Sequence, residues 1–349
     1  MKKITIQRRI IGKEFVPFII AEMSGNHNQS LDRALKIVEA ATKAGAHAVK
    51  LQTYTADTMT IDKRDGEFMI TDPNSLWYGK SLYELYEEAH TPWEWHKPIM
   101  DRCRELGLIC FSTPFDETAV DFLEELNVPC YKIASFENTD VRLLRKVAST
   151  GKPVIISVGM ANLSELELIV QTIRDVGCEK FVLLKCTSAY PAKPSDINLR
   201  TIPHLRDMFH CEVGLSDHTM GIGVSIAAVA LGATVIEKHF TLSRKEGGVD
   251  SAFSLEPHEL KLLVEETKKA WESLGQVNYQ LGQEETQSKQ FRRSLYIVED
   301  MKAGEVLTEK NMRAIRPGFG LPVKYWDQII GRKVKRDVAR GKALSWDFI

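Results

Sequence analysis

The sequence predicts a closed (β/α)8 barrel followed by a small β-rich domain, and three observations predict it. Short β-branched runs recur between residues 18 and 240, each followed by an amphipathic stretch. Polar residues gather at the C-terminal ends of those runs. After Leu274 the text changes to short strand-like pieces and turns. Strands alternating with helices imply parallel strands covered by helices, and eight such units close a barrel more readily than they leave an open sheet.

The runs are 18–24 (FIIAEMS), 48–54 (AVKLQTY), 108–115 (LICFSTPF), 130–135 (CYKIAS), 153–160 (PVIISVGM), 181–188 (FVLLKCTS), 211–218 (CEVGLSDH) and 234–240 (TVIEKHF). Between the first two, Leu31, Ala34, Leu35, Ile37, Val38 and Ala41 recur at helical spacing, with Ser30 as N-cap and Gly45 as stop. Residues 164–176, 223–231 and 257–274 read as helices in the same way. The long insert 55–104 carries Trp77, Tyr78, Tyr83, Tyr86, Trp93 and Trp95, and a barrel places such a loop near its mouth. The expected division is a barrel domain over 1–275, a polar linker over 276–292 and a β-rich domain over 293–349. The last piece is short for an independent core and is expected to lean on another surface.

Composition narrows the function. The chain has 349 residues, 44% apolar and 27% charged, with 46 Lys+Arg against 47 Asp+Glu for a net charge of −1. Neither a nucleic-acid partner nor a membrane fits that balance and these short apolar runs. The N-terminal MKKITIQRRI lacks an apolar h-region, so no signal peptide is expected and the chain reads as cytoplasmic. Six cysteines with no C-x-x-C pair then read as reduced, packed thiols, and the Asn28 and Asn162 sequons as chance matches.

In a barrel, chemistry sits at the C-terminal ends of the strands. There the runs present Glu22, Lys50, Gln52, Thr113, Lys132, Ser135, Ser157, Lys185, Ser188, Ser216, Asp217, His218, Glu237, Lys238 and His239. Single serines of this kind cap helices; a polar group at every strand end is more than an apolar barrel core needs. Strand parity puts Ser216 with His218 on one face and Glu237 with His239 on another. If both faces point inward, two imidazoles approach one point, which suits a divalent transition metal with open positions; hydrogen-bonded core histidines are the other reading. Lys50 and Lys132 lie in apolar runs and each needs an anion. Glu22 or Glu137 is one candidate partner, and a ligand bearing phosphate and carboxylate is another. Gly221-Ile-Gly223 is an incomplete dinucleotide fingerprint and reads as a helix start.

Taken together, IIAEMSGNHNQ, AVKLQTYT, CFSTPFD, YKIASFE, ISVGMA, LLKCTSAYP, GLSDHT and IEKHFTL resemble the sialic acid synthase family, and NMRAIRPGFGL resembles the antifreeze-like (SAF) domain that follows the barrel there. The stretches LQTYTADTMT and LWYGKSLYELYEEAHTPWEWH are most similar to the pseudaminic acid branch of that family. The resemblance implies condensation of phosphoenolpyruvate with the open-chain aldehyde of an acylamino sugar, here 2,4-diacetamido-2,4,6-trideoxy-L-altrose. Enzymes of the family that make N-acetylneuraminate or legionaminate are the alternative. It implies that Lys132, Ser135, Ser157, Ser188 and Ser216 hold the phosphate, with Ser188 standing where the family has Asn, and that Lys50 and Thr113 hold the carboxylate. His218 and His239 match the ligands of a divalent cation (Mn, Co or Mg). Glu22 matches a carboxylate near that metal, and Glu137 one near the enol carbon. Gln52, Tyr190 and Asp250 fall on the sugar side. Arg316 matches an arginine delivered by the SAF domain of the partner subunit, which implies a domain-swapped homodimer. Two other classes stand beside this one. A non-catalytic sugar-phosphate barrel would lack one of Glu22, Lys132, His218 or His239, and all are present. An aldolase forming a Schiff base on Lys132 or Lys185 would need no metal.

Overall fold

The computed structural model describes residues 3–349. A hairpin comes first, β1 (Ile4–Ile6) and β2 (Arg9–Ile11), turning at Gln7–Arg8. Eight parallel strands follow: β3 (Phe18–Glu22), β4 (Ala48–Thr53), β5 (Ile109–Pro114), β6 (Tyr131–Ile133), β7 (Val154–Ser157), β8 (Phe181–Cys186), β9 (Glu212–Ser216) and β10 (Val235–His239). They pair in sequence order, and β10 closes on β3. The fold class expected from the repeating runs is therefore the one observed. The helix Leu31–Ala44 is capped by Ser30, whose hydroxyl accepts from the Arg33 N–H, and stops at Gly45, where φ is +85°. Only glycine takes that conformation without strain.

Side chains alternate in strict parity. Ile19, Ala21, Val49, Leu51, Val213, Leu215 and Ile236 face outward into the helix layer and join its large apolar cluster. The inward face has two levels. Its lower half is apolar: Phe18, Ile20, Ala48, Ile109, Phe111, Cys130, Ile155, Val182, Leu184 and Val235 pack with Ile4, Ile6 and Ile11 of the hairpin. The hairpin thus plugs the N-terminal end of the barrel, an element the run pattern did not reveal. Its upper half is polar and forms the site described below.

One compact unit ends at Gly275, and a second spans Gln276–Ile349. The second has its own core, in which Leu295, Ile297, Met301, Leu307, Met312, Ile329 and Val338 are buried around the hairpin β11 (Ser294–Ile297) and β12 (Met312–Ile315). The polar stretch expected to be a plain linker contains a short helix, Gln283–Ser288, followed by a helical turn Lys289–Phe291. All six cysteines are buried and free.

Barrel closure imposes one severe local demand. Gly214 lies opposite Val235 where β9 meets β10, and a Cβ there would fall 2.3 Å from the Val235 carbonyl oxygen and 2.7 Å from Leu184 Cδ2. Gly214→Ala is expected to cost about 2 kcal/mol or more, because a backbone atom must move. Gly223→Ala meets nothing within 4 Å at the start of a helix and is expected to be neutral or to stabilise by up to about 1 kcal/mol. Urea midpoints measure both, and equal midpoints for the two variants would contradict this account of closure.

Candidate active site

A cavity of about 440 Å³ opens at the C-terminal end of the barrel. Its floor is the polar upper level of the inward faces, and register builds it. His239 of β10 pairs with Glu22 of β3, and Glu22 with Lys50 of β4, so three functional side chains stand in one row. Glu237, two residues before His239, pairs with Ser216 of β9, whose hydroxyl donates to Glu237 Oε1 at 3.0 Å.

The lysines are paired, and mainly with a carboxylate other than those expected. Lys50 Nζ lies 3.0 Å from both Glu22 Oε1 and Glu237 Oε1, and Lys132 Nζ lies 3.5 Å from Glu237 Oε1. Glu22 does pair with Lys50. Glu137, the other expected partner, forms no such pair, because Glu237 projects from β10 between the lysines. Burial works against the charge on Glu237 and Glu22, yet Lys132 and Lys50 hold the Glu237 carboxyl, and His239 together with the two lysines the Glu22 carboxyl, below the usual range. Burial also works against Lys50, but its two carboxylates win and raise it; with one longer contact, Lys132 stays lowered. Gln52 Nε2 donates to Glu22 Oε1 at 3.1 Å and fixes that carboxylate from a second side.

Several buried polar atoms around this floor have no protein partner: Thr113 Oγ1, Ser157 Oγ, Ser188 Oγ, Glu137 Oε2, Glu237 Oε2 and His239 Nδ1. Native interiors rarely leave such groups unmatched, and here six do so together. Ser135 Oγ accepts from the Gly159 N–H at 3.1 Å. A Cβ at Gly159 would fall 2.5 Å from Ser188 Oγ and 2.7 Å from Ser135 Oγ, so the missing side chain leaves a cradle between the two hydroxyls. Thr113 sits beside Gln52 in the β4–β5 register.

The two histidines face each other with ring centroids 5.4 Å apart. His218 Nδ1 lies 3.0 Å from the Thr187 carbonyl oxygen. That contact places the proton on Nδ1 and frees the Nε2 lone pair, the tautomer a metal ligand needs. His239 Nε2 lies 3.4 Å from Glu22 Oε2 and its Nδ1 3.9 Å from Asp250 Oδ2. Asp250 is held by the Ser24 hydroxyl. Two imidazoles with carboxylates alongside fit a borderline divalent cation. Among the described residues no three His, Cys, Asp or Glu side chains converge on one point, so further positions fall to water or substrate. Tyr190 packs 4.5 Å from the His218 ring, and Phe253 4.9 Å from the His239 ring.

The upper wall of the cavity is apolar, formed by Met59, Ile70, Trp77, Leu82, Leu85 and Tyr86 of the insert. Trp77 is pinned by its indole N–H to the Val249 carbonyl at 2.9 Å. Tyr78, which the aromatic insert also offered, is 60% exposed and lies outside this wall. Arg316 belongs to the second unit, where it is exposed just after β12. Two contributors escaped the sequence reading as site residues, Cys186 and Phe253; the strand-end pattern includes Glu237 but gives it no role. Parity carried a signal for Cys186, which shares a face with Leu184. Phe253 ends a single 3-10 turn, Ser251–Phe253, too short to show a period.

The NeuB family model matches residues 37–279 and the SAF domain model residues 292–349. The chain is 43% identical over 328 residues to a pseudaminic acid synthase of Campylobacter jejuni subsp. jejuni (strain 81-176), covering 94% of this chain and 95% of that one. It is 36% identical to an N,N'-diacetyllegionaminic acid synthase of Legionella pneumophila, with 97% and 96% covered. The crystal structure of N-acetylneuraminic acid synthetase from Leptospira borgpetersenii in complex with citrate superposes with a TM-score of 0.74 at 32% identity, covering 82% of this chain and 95% of that one.

One titration is testable without substrate. Burial pushes the Glu137 carboxyl up to about 7, against the pull of Lys132. Between its ordinary value of 4.5 and about 7, the folded state keeps a proton that the unfolded state has lost. Glu137 therefore costs stability as pH rises through that interval, and the cost is complete above it. In ligand-free protein, Glu137→Gln is expected to leave Tm unchanged near pH 4.5 and to raise it at about pH 8. A Tm difference independent of pH would show that Glu137 ionises normally.

Proposed function

As the chain belongs to the NeuB family, we propose that it is a pseudaminic acid synthase, condensing phosphoenolpyruvate with 2,4-diacetamido-2,4,6-trideoxy-L-altrose to give pseudaminic acid and phosphate. The observation that carries this reading is the division of one cavity into a buried polar floor and an apolar wall. The floor suits a small polyanion. The wall suits the methyl and acetamido groups of a 6-deoxy diacetamido sugar.

In the reaction, C3 of the enol attacks the C1 aldehyde carbon, water adds at C2, and phosphate leaves by C–O cleavage. Lys132 and the Ser135, Ser157, Ser188 and Ser216 hydroxyls take the phosphate; the unmatched hydroxyls of Ser157 and Ser188 and the Gly159 cradle support that role. Lys50 and Thr113 take the carboxylate. Glu22, held by Gln52 and Lys50, orients the groups at the aldehyde. Glu137, poised near neutrality, is suited to moving a proton beside the enol carbon. Tyr190, Asp250 and Gln52 position the sugar. His218 and His239 would hold a divalent cation, Mn, Co or Mg, which when bound polarises the aldehyde oxygen. The charge count supports a cation there. Glu22 and Glu237 against Lys50 and Lys132 sum to zero, so a bound polyanion needs further positive charge.

The test offers purified enzyme phosphoenolpyruvate plus each of three sugars and measures phosphate release. The altro-configured diacetamido sugar is expected to be preferred over its manno isomer and over N-acetylmannosamine. An apolar wall discriminates by about ten- to a few-hundred-fold. Chelation is expected to abolish turnover, and Mn, Co or Mg to restore it. Equal or better turnover of N-acetylmannosamine overturns the choice of sugar. Full activity after exhaustive chelation overturns the metal.

Arg316 is assigned to the sugar of a partner subunit, in a domain-swapped homodimer. Its support is the separate core of the second unit and the exposure of Arg316. Co-expressing His239→Ala and Arg316→Ala as heterodimers tests it. Acting across subunits, one site collects both defects and the other neither, so activity returns toward half of the wild-type dimer. No recovery in verified heterodimers refutes the arrangement.

A further inference from the structure

A second cavity, of about 510 Å³, lies at the opposite end of the barrel, where the hairpin turn overhangs the N-terminal ends of β4, β5 and β6. The reaction proposed above does not use it. Its lining is unusual in charge: Arg8, Arg9 and Arg104 are present, and no Asp or Glu appears among the described residues that line it. Arg104 is partly offset by Asp101 at 2.7 Å. Arg8 and Arg9 have no carboxylate partner among the described residues.

Arg9 is half-buried and held in place. Its Nη2 donates to the carbonyls of Val16 and Pro17 at 3.2 and 3.3 Å. Those bonds tie the hairpin to the barrel and would suffice for a purely structural role. They leave Nη1 and Nε without a protein acceptor, and Nε is buried. The guanidinium carbon stands 5.7 Å from the centre of the Phe18 ring, and Phe18 stacks on His47 at 6.1 Å. His47 Nδ1 accepts from the Ile19 N–H at 2.9 Å, so its proton is on Nε2, which meets no acceptor among the described residues. Burial first and Arg9 second push His47 down to about 3, which keeps it neutral with that one donor. Two held donors packed on one aromatic ring, with the exposed Arg8 and Arg104 at the rim, are an anion receptor. The remaining walls, from Met100, Leu108, Leu126 and Val128, are apolar.

We propose that this cavity is a second ligand site, binding a small organic anion whose carboxylate or phosphate meets Arg9 and His47 and whose apolar body lies against Met100, Leu108, Leu126 and Val128. The site shares no residue with the cavity at the barrel mouth. Arg9 and His47 line the cavity and both pack on Phe18, and Phe18 and Glu22 are the two ends of one strand, β3.

The test uses the full-length protein saturated with phosphoenolpyruvate, so that added anions do not report on the barrel mouth. Phenyl phosphate, phenylacetate and uncharged benzyl alcohol are titrated while the methyl resonances of Met100 and Val128 are followed. Saturable shifts are expected with a charged probe and not with benzyl alcohol. Response to phenyl phosphate alone assigns a phosphate monoester, and response to phenylacetate alone a carboxylate. Arg9→Gln is expected to weaken binding by about tenfold or more, the loss of one charge-assisted contact. Should that variant disturb the hairpin, the double variant Arg8→Gln/Arg104→Gln keeps the Val16 and Pro17 contacts and is expected to weaken binding several-fold without changing turnover. Absence of saturable shifts, equal binding of benzyl alcohol, or affinity unchanged in both variants overturns the proposal.

Discussion

Two lysines and two glutamates, all nearly inaccessible, share the upper interior of the barrel. Lys50 touches Glu22 and Glu237, and Lys132 touches Glu237. Taking four charges out of water is costly, and their attraction repays it only when every partner is present. The network draws on β3, β4, β6 and β10, so it is complete only when β10 has closed on β3. A slip of one residue in any strand would turn its charge into the helix layer and leave the others unpaired. Closure and site formation are therefore one event, and Gly214 serves the site by serving closure.

The same inward face does two jobs at two depths. Below, Phe18, Ile20, Phe111, Ile155, Val182 and Leu184 meet the hairpin isoleucines and supply the apolar burial. Above, hydroxyls and charges occupy the same parity. The apolar lower layer offers water no polar path through the barrel, which lowers the effective dielectric under Lys50 and Lys132 and makes their pairing strong.

Much of this was legible in the sequence for a physical reason: β-branched runs at regular intervals can bury their faces in few ways. The helix bounds at Leu31–Ala44 and Pro257–Leu274 followed from caps and periodicity. The gathering of Lys50, Lys132, His218 and His239 at one end followed from strand polarity. Other features were illegible because they depend on register or on chain far away. That Glu237 rather than Glu137 stands between the lysines is set by the pairing of β10 with both of its neighbours. The plug made by Ile4, Ile6 and Ile11 comes from two three-residue strands, too short to show a period. Phe253 reaches the histidines from the end of a three-residue 3-10 turn, too short for spacing to show direction.

The division of the cavity bears on how a fold of this kind changes its sugar. On the proposed reading, the floor serves the phosphoenolpyruvate half of the reaction. Its members are locked to one another across the barrel, so exchanging one leaves a buried charge or hydroxyl unmatched. The wall carries no such coupling. Met59, Ile70, Leu82 and Leu85 project from the insert between β4 and β5 and contribute contact area alone, and swaps of similar volume there cost little. Trp77 is the exception, since its indole N–H bonds the Val249 carbonyl next to Asp250. It joins the wall to the segment that carries Asp250, the residue proposed above to contact the sugar. Sugar selectivity is thus free to vary along the insert while the floor stays constant, and Trp77 is the position where a change of wall is felt by Asp250.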